Sequence, residues 1–246
     1  MLQLTHQRFG PLDCSVVRDR DSEQPPELAC VLCHGFGAGG ADLVPLAGEY
    51  CRLEPALAAR VAFVFPAAPL EPAEFRGYGG RAWWPLAMAR LQAAIETGAM
   101  RNLREEEPPR LPTARRELGE LIEAVQTKWN LPISKIVLGG FSQGAMLTTD
   151  VALHLPQTPA GLVIYSGNLL SERDWTEHIG QAHGLRVLQS HGVQDPILPF
   201  SGAESLRQLL ERGGAEVEFL RFNGPHTIPA EAVALTATRL AAALTE

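Results

Sequence analysis

Apolar and polar positions along the chain follow two periods in turn. Short apolar runs at 12–17, 28–33, 61–65, 135–138, 162–165, 185–189 and 216–222 read as strands. Between them, 42–50, 112–129, 145–149, 203–212 and 230–244 have helical spacing or composition. In 112–129, Leu118, Leu121, Ile122, Val125 and Trp129 fall on one face, and Leu131-Pro132 reads as the stop. The run at 28–33 is predicted to be a central strand and the run at 12–17 an edge strand. Strand and helix signals in alternation predict an α/β fold with a mostly parallel central sheet, right-handed crossovers and helices on both faces. Neither an internal repeat nor an interdomain linker interrupts the pattern, so residues 1–246 are expected to form a single domain.

One stretch, 71–112, breaks the alternation. It holds Gly77-Tyr78-Gly79-Gly80-Arg81-Ala82-Trp83-Trp84-Pro85, an apolar helix-like run at 86–95, and a charged, breaker-rich run at 101–109. Its place between the third strand and the 135–138 strand suits a cap-like insertion or lid. Arg104-Glu105-Glu106-Glu107 reads as a solvated turn.

The composition, 46% hydrophobic and 20% charged, is that of a globular chain with room for a core. A net charge of −7, without runs of Lys or Arg, argues against nucleic acid or an anionic membrane surface as partner. No apolar stretch has the length of a membrane span. Residues 1–8 lack the basic region and apolar core of a signal peptide, so the cytoplasm is the expected compartment. No pattern fixes an oligomeric state, and a dimer is left open. Cys14, Cys30, Cys33 and Cys51 are expected to be reduced and mostly buried. Cys30 and Cys33 form C-x-x-C only formally, because positions three apart in a strand point to opposite faces.

Chemistry enters at Gly140-Phe141-Ser142-Gln143-Gly144, a G-x-S-x-G between a predicted strand and a predicted helix. Strand, G-x-S-x-G, helix is the layout of a nucleophile elbow, a tight turn that lifts a serine hydroxyl clear of the backbone. A serine needs a base, the base an orienting acid, and the oxyanion a pair of donors. In this layout the acid and the histidine follow the serine in that order. Asp195 lies in the loop after the strand at 185–189, and His226 in the loop after the strand at 216–222. Asp174, in a predicted loop after the 162–165 strand, is the alternative acid, whereas Asp150 should sit on the elbow helix and point away. The other histidines compete poorly with His226: His34 and His191 come at the wrong place in the order and read as loop supports. The oxyanion donors are expected from the backbone N–H of Gln143 and of Phe36, in the glycine-rich loop His34-Gly35-Phe36-Gly37. Trp83 and Trp84 either line an acyl-binding wall or anchor the insertion to the core. No metal-ligand spacing such as H-x-x-x-H is present, and the chemistry needs no cofactor.

HGFGAGG, GFSQGA, HGVQDPILP and PHTI occur in that order, and together they resemble the phospholipase/carboxylesterase branch of the α/β-hydrolases, which includes the acyl-protein thioesterases. The resemblance runs from about residue 28 to the C-terminus. It implies an α/β-hydrolase fold, Ser142 as nucleophile, Asp195 as acid, His226 as base, and Phe36 and Gln143 as amide donors. It implies a small-molecule or lipid ester or thioester as substrate, cleaved by a carboxylesterase, with lysophospholipase or acyl-protein thioesterase as the alternative. A binding module on the same fold would need a broken triad, and none of the three residues is missing. One departure stands out: Pro225 precedes His226 where the family usually has glycine.

Overall fold

The computed structural model describes residues 1–22, 24–86 and 103–245. All but Leu86 of the apolar run 86–95, and the first two residues of the charged run 101–109, lie outside the described residues.

Eight strands form one sheet in the order β1-β2-β4-β3-β5-β6-β7-β8. The strands are β1 (Leu2–Phe9), β2 (Leu12–Asp19), β3 (Leu28–Cys33), β4 (Val61–Pro66), β5 (Ile136–Phe141), β6 (Gly161–Tyr165), β7 (Arg186–Gly192) and β8 (Glu216–Phe222). β1 and β2 pair antiparallel, as do β2 and β4. All other pairings are parallel. The mostly parallel sheet expected from the sequence is borne out, with one correction. The 12–17 run is the second strand, and β1 is the edge.

The helices are α1 (Pro45–Leu53), the single turn α2 (Leu57–Arg60), α3 (Leu111–Trp129), α4 (Gln143–His154), α5 (Glu172–His178), α6 (Phe200–Arg212) and α7 (Ala230–Ala243). Against one sheet face, α3 lays Leu118, Leu121, Ile122 and Val125 onto Val31, Leu138 and Ile164, with α4 and α6 in the same layer. Each such Leu contributes about 1.5–3 kcal/mol by leaving water. On the opposite face, Tyr50 of α1 and Leu240 of α7 pack with Leu32, Phe63 and Val163. Cys30 belongs to this second layer and Cys33 to the first, so the C-x-x-C thiols face apart. All four cysteines are free, and burial pushes the Cys30 thiol up to about 12.

Two boundaries differ from the sequence reading. α1 starts at Pro45 rather than at residue 42, because proline is preferred at the first helical position, where its missing N–H costs nothing. The predicted loop around Asp174 is instead α5, with Glu172 and Asp174 in its first turn, where the helix dipole favours negative charge. No helix among the described residues is long and apolar enough to cross a membrane.

Candidate active site

Ser142 stands between β5 and α4 with φ 55 and ψ −117, an uncommon backbone for a non-glycine residue. Such a conformation costs of order 1–3 kcal/mol and persists only where its surroundings over-determine it. Here the Ser142 N–H donates to the Tyr165 carbonyl at 2.9 Å, and the Ser142 carbonyl accepts the Met146 N–H at 3.1 Å. Tyr165 is itself fixed, since its hydroxyl bonds to Tyr50 at 2.8 Å and to Thr236. The flanking glycines are required by space. A Cβ on Gly144 would lie 2.1 Å from the Cys33 carbonyl oxygen, and one on Gly140 would lie 2.5 Å from the Gly144 carbonyl carbon. Any side chain at either position would force α4 away from β3 and β5.

The glycine-rich loop after β3 lies beside the serine. A Cβ on Gly35 would be 3.4 Å from that of Ser142. His34 fixes this loop from beneath. Its Nε2 accepts the Ala68 N–H at 2.9 Å, so Nδ1 carries the proton and donates to the Gly35 carbonyl at 2.7 Å. Burial lowers the His34 pKa, against the pull of the Gly35 carbonyl, which matches a neutral ring. Within the loop the Gly37 N–H is taken by the Arg81 carbonyl at 2.8 Å. The backbone N–H groups of Phe36 and Gln143 have no acceptor among the described residues. The second is also the first N–H of α4, where the helix dipole is positive.

The Gln143 side chain is used elsewhere. Its Oε1 accepts the Trp83 N–H and its Nε2 donates to the Trp84 carbonyl, both at 2.9 Å. The Trp83 indole N–H donates to the His34 carbonyl at 3.0 Å. Both indoles are buried, 0% and 2% exposed.

On the far side, His226 Nδ1 donates to Asp195 Oδ2 at 2.6 Å. The other carboxylate oxygen accepts the backbone N–H groups of Ile197 at 2.8 Å and Leu198 at 2.9 Å. His191 Nε2 lies 3.3 Å from Asp195 Oδ2 and 2.9 Å from the Leu198 carbonyl. Burial alone would raise the Asp195 pKa. The hydrogen bonds from His191 and His226, the His226 charge and the Leu198 amide outweigh it and hold this carboxyl well below the usual range.

The acid and histidine loops are laced together. Gln194 N–H donates to the Gly224 carbonyl at 3.1 Å, and a Cβ on Gly192 would sit 2.4 Å from the Pro225 carbonyl oxygen. Pro225 is accommodated here because the lacing uses carbonyls of the histidine loop and asks for no N–H at that position. Ser166, with φ 47, donates its hydroxyl to the Thr227 carbonyl at 3.1 Å and so ties the residue after His226 to the end of β6. Serine types carry no signal for a positive φ, and nothing in the sequence marks Ser166.

Ser142 is half-buried, and its hydroxyl has no hydrogen bond among the described residues. Phe141 carries the neighbourhood, its ring 4.7 Å from that of His226. With Nδ1–H committed to Asp195, the neutral ring of His226 presents Nε2 as an acceptor. Asp174 is elsewhere, bonded to Arg115 at 3.0 Å, and Asp150 is buried under the same arginine.

Residues 13–243 match the Phospholipase/Carboxylesterase family. The chain is 34% identical over 187 residues to acyl-protein thioesterase 1 of Eremothecium gossypii, covering 75% of this chain and 73% of that protein. Its fold is shared by the crystal structure of esterase PE8, at 24% identity with a TM-score of 0.76, over 98% of this chain and 99% of that one. Arabidopsis thaliana SOBER1 superposes with a TM-score of 0.70 at 20% identity, over 88% of this chain and 99% of that one. An eight-stranded, mostly parallel sheet with these neighbours is an α/β-hydrolase fold, and the chain belongs to the phospholipase/carboxylesterase family of ester-hydrolysing enzymes.

Proposed function

We propose that the enzyme cleaves carboxylic esters as a serine hydrolase through an acyl-enzyme, with Ser142 as nucleophile, His226 as base and Asp195 as orienting acid. The observation that carries this reading is the 2.6 Å bond from His226 Nδ1 to a buried Asp195, with the His226 ring 4.7 Å from that of Phe141, the residue before a serine in a strained elbow. His226 Nε2 takes the proton as Ser142 Oγ attacks the acyl carbon, while Asp195 stabilises the imidazolium. The N–H groups of Phe36 and Gln143 receive the oxyanion. His226 then protonates the leaving group, and a water that it deprotonates releases the acid. Neither metal nor cofactor takes part in these steps.

A thioester substrate is the second reading, favoured by the 34% identity to an acyl-protein thioesterase; a lysophospholipid falls within the same chemistry. The burial of Trp83 and Trp84 supports an anchoring role for this pair within the proposed cap-like insertion at 71–112. The site of action proposed is the cytoplasm.

Labelling with a fluorophosphonate, followed by peptide mapping, tests the mechanism. The adduct is expected on Ser142, and Ser142→Ala should lose label and roughly 10⁴- to 10⁶-fold in kcat. A folded variant keeping a tenth of the rate would overturn it. Aryl esters and acyl thioesters of matched chain length then separate the two substrate readings.

A further inference from the structure

The opposite end of α4 from Ser142 carries a second group of ligand-type side chains. His154 is the last residue of α4, and Asp174 and His178 lie one turn apart on α5. One donor atom from each of the three falls within 4.8 Å of the others. The two imidazoles lie close and tilted, centroids 4.0 Å apart and planes at 36°. Each is oriented in the same way. His154 Nδ1–H donates to the Asp150 carbonyl at 2.7 Å and His178 Nδ1–H to the Asp174 carbonyl at 2.9 Å. Both acceptors are carbonyls, so each Nδ1 carries a proton, and in the neutral ring each Nε2 keeps its lone pair. Holding Nδ1–H on a carbonyl to present Nε2 is how proteins orient metal-bound histidines.

His154 Nε2 is the telling atom. It is buried and makes no hydrogen bond among the described residues, yet it faces Asp174 Oδ2 at 3.3 Å. Two acceptor atoms this close need a positive centre between them, either a proton on Nε2 or a metal ion. Three ligands bound at 2.0–2.1 Å in a tetrahedron sit roughly 3.4 Å apart. The carboxylate is also braced, because Arg115 bonds Asp174 Oδ2 at 3.0 Å while gripping Asp150 at 2.6 and 2.9 Å. Two carboxylates and one guanidinium leave a single negative charge to attract a cation. Of the three residues, Asp174 reaches a surface cavity of about 420 Å³, whose wall also includes Arg115 and Glu177.

We propose that His154, Asp174 and His178 form a binding site for a divalent transition metal of the zinc class, with water completing the coordination. Two imidazoles and a carboxylate suit zinc rather than calcium or magnesium, which take oxygen ligands. The site lies twelve residues along α4 from Ser142, roughly 18 Å at 1.5 Å per residue, so it plays no part in ester cleavage. Its effect is to clamp α5 onto the end of the nucleophile helix. No histidine spacing marks it in the sequence because its ligands come from two helices.

The test is calorimetric titration of the chelator-treated full chain with ZnCl2, with thermal melting and ester hydrolysis in parallel. Expected are one saturable site, a melting temperature raised by Zn²⁺, and an unchanged rate. His154→Gln and His178→Gln should each weaken binding at least tenfold. His178 is 41% exposed, so His178→Gln keeps the test valid if His154→Gln misfolds. No saturable binding to the wild type would overturn the proposal, as would unaltered affinity in a folded His178→Gln.

Discussion

Gln143 holds Trp83 by the backbone, its side-chain Oε1 accepting the Trp83 N–H at 2.9 Å while its Nε2 donates to the next carbonyl. One residue thereby offers the proposed oxyanion donor from its main chain and fastens the Trp83-Trp84 segment with its side chain. Gln143→Ala keeps the main-chain donor but leaves a buried N–H and a buried carbonyl unpaired. Each unsatisfied group costs about 1–3 kcal/mol. The expected result is a clear fall in the urea unfolding midpoint with a kcat loss far smaller than that of Ser142→Ala. If stability is unchanged, the clasp contributes nothing.

Asp195 and Asp174 were both open as the acid on sequence grounds, and they have different partners in the fold. Asp195→Asn should lower kcat by about 10⁴-fold, because the imidazole then takes the wrong tautomer. Asp174→Asn, which perturbs the contacts to Arg115, His154 and His178, should leave kcat near wild type. Steady-state kinetics on an aryl ester give the ranking, and the reverse order would reassign the acid.

The depressed Asp195 carboxyl also makes stability depend on pH. Its folded pKa lies below the unfolded value of about 3.9. The stabilisation is therefore complete above that value and fades as pH falls toward the folded pKa. Melting temperatures should fall in parallel for wild type and Asp195→Asn down to about pH 4, and more steeply for wild type below it. Parallel slopes below about pH 4 as well would remove Asp195 from the acid response.

What the sequence made legible follows from how tightly each feature is constrained. G-x-S-x-G was readable because Gly140 and Gly144 face backbone at distances no Cβ tolerates. The buried strands β3 and β4 are apolar throughout and declare themselves. β1 escaped because Leu2 to Phe9 is half exposed and mixes polar residues on both faces, so its only strong determinant is pairing with β2. α5 escaped because Ser171 enters it at φ 46, without the side-chain cap that marks a helix start. Side-chain contacts between distant segments, such as Ser166 to Thr227 or His154 to Asp174, have no local pattern at all.

Trp83 decides between the two roles the sequence left open for the tryptophan pair. Its indole is wholly buried and its N–H is spent on the His34 carbonyl. Trp83→Ala therefore opens a cavity beneath the proposed oxyanion loop and orphans that carbonyl, at a cost of about 3–5 kcal/mol. An anchor acts on every substrate alike, so kcat/KM should fall by one factor from acetyl to decanoyl esters, together with a lower melting temperature. A pocket wall acts otherwise. Each substrate methylene it buries is worth about 0.8 kcal/mol, so its loss would be slight for acetyl and steep for decanoyl. A flat ratio across the series, for Trp83→Ala and Trp84→Ala both, is the expected outcome; a loss growing with chain length would return the indoles to the acyl pocket.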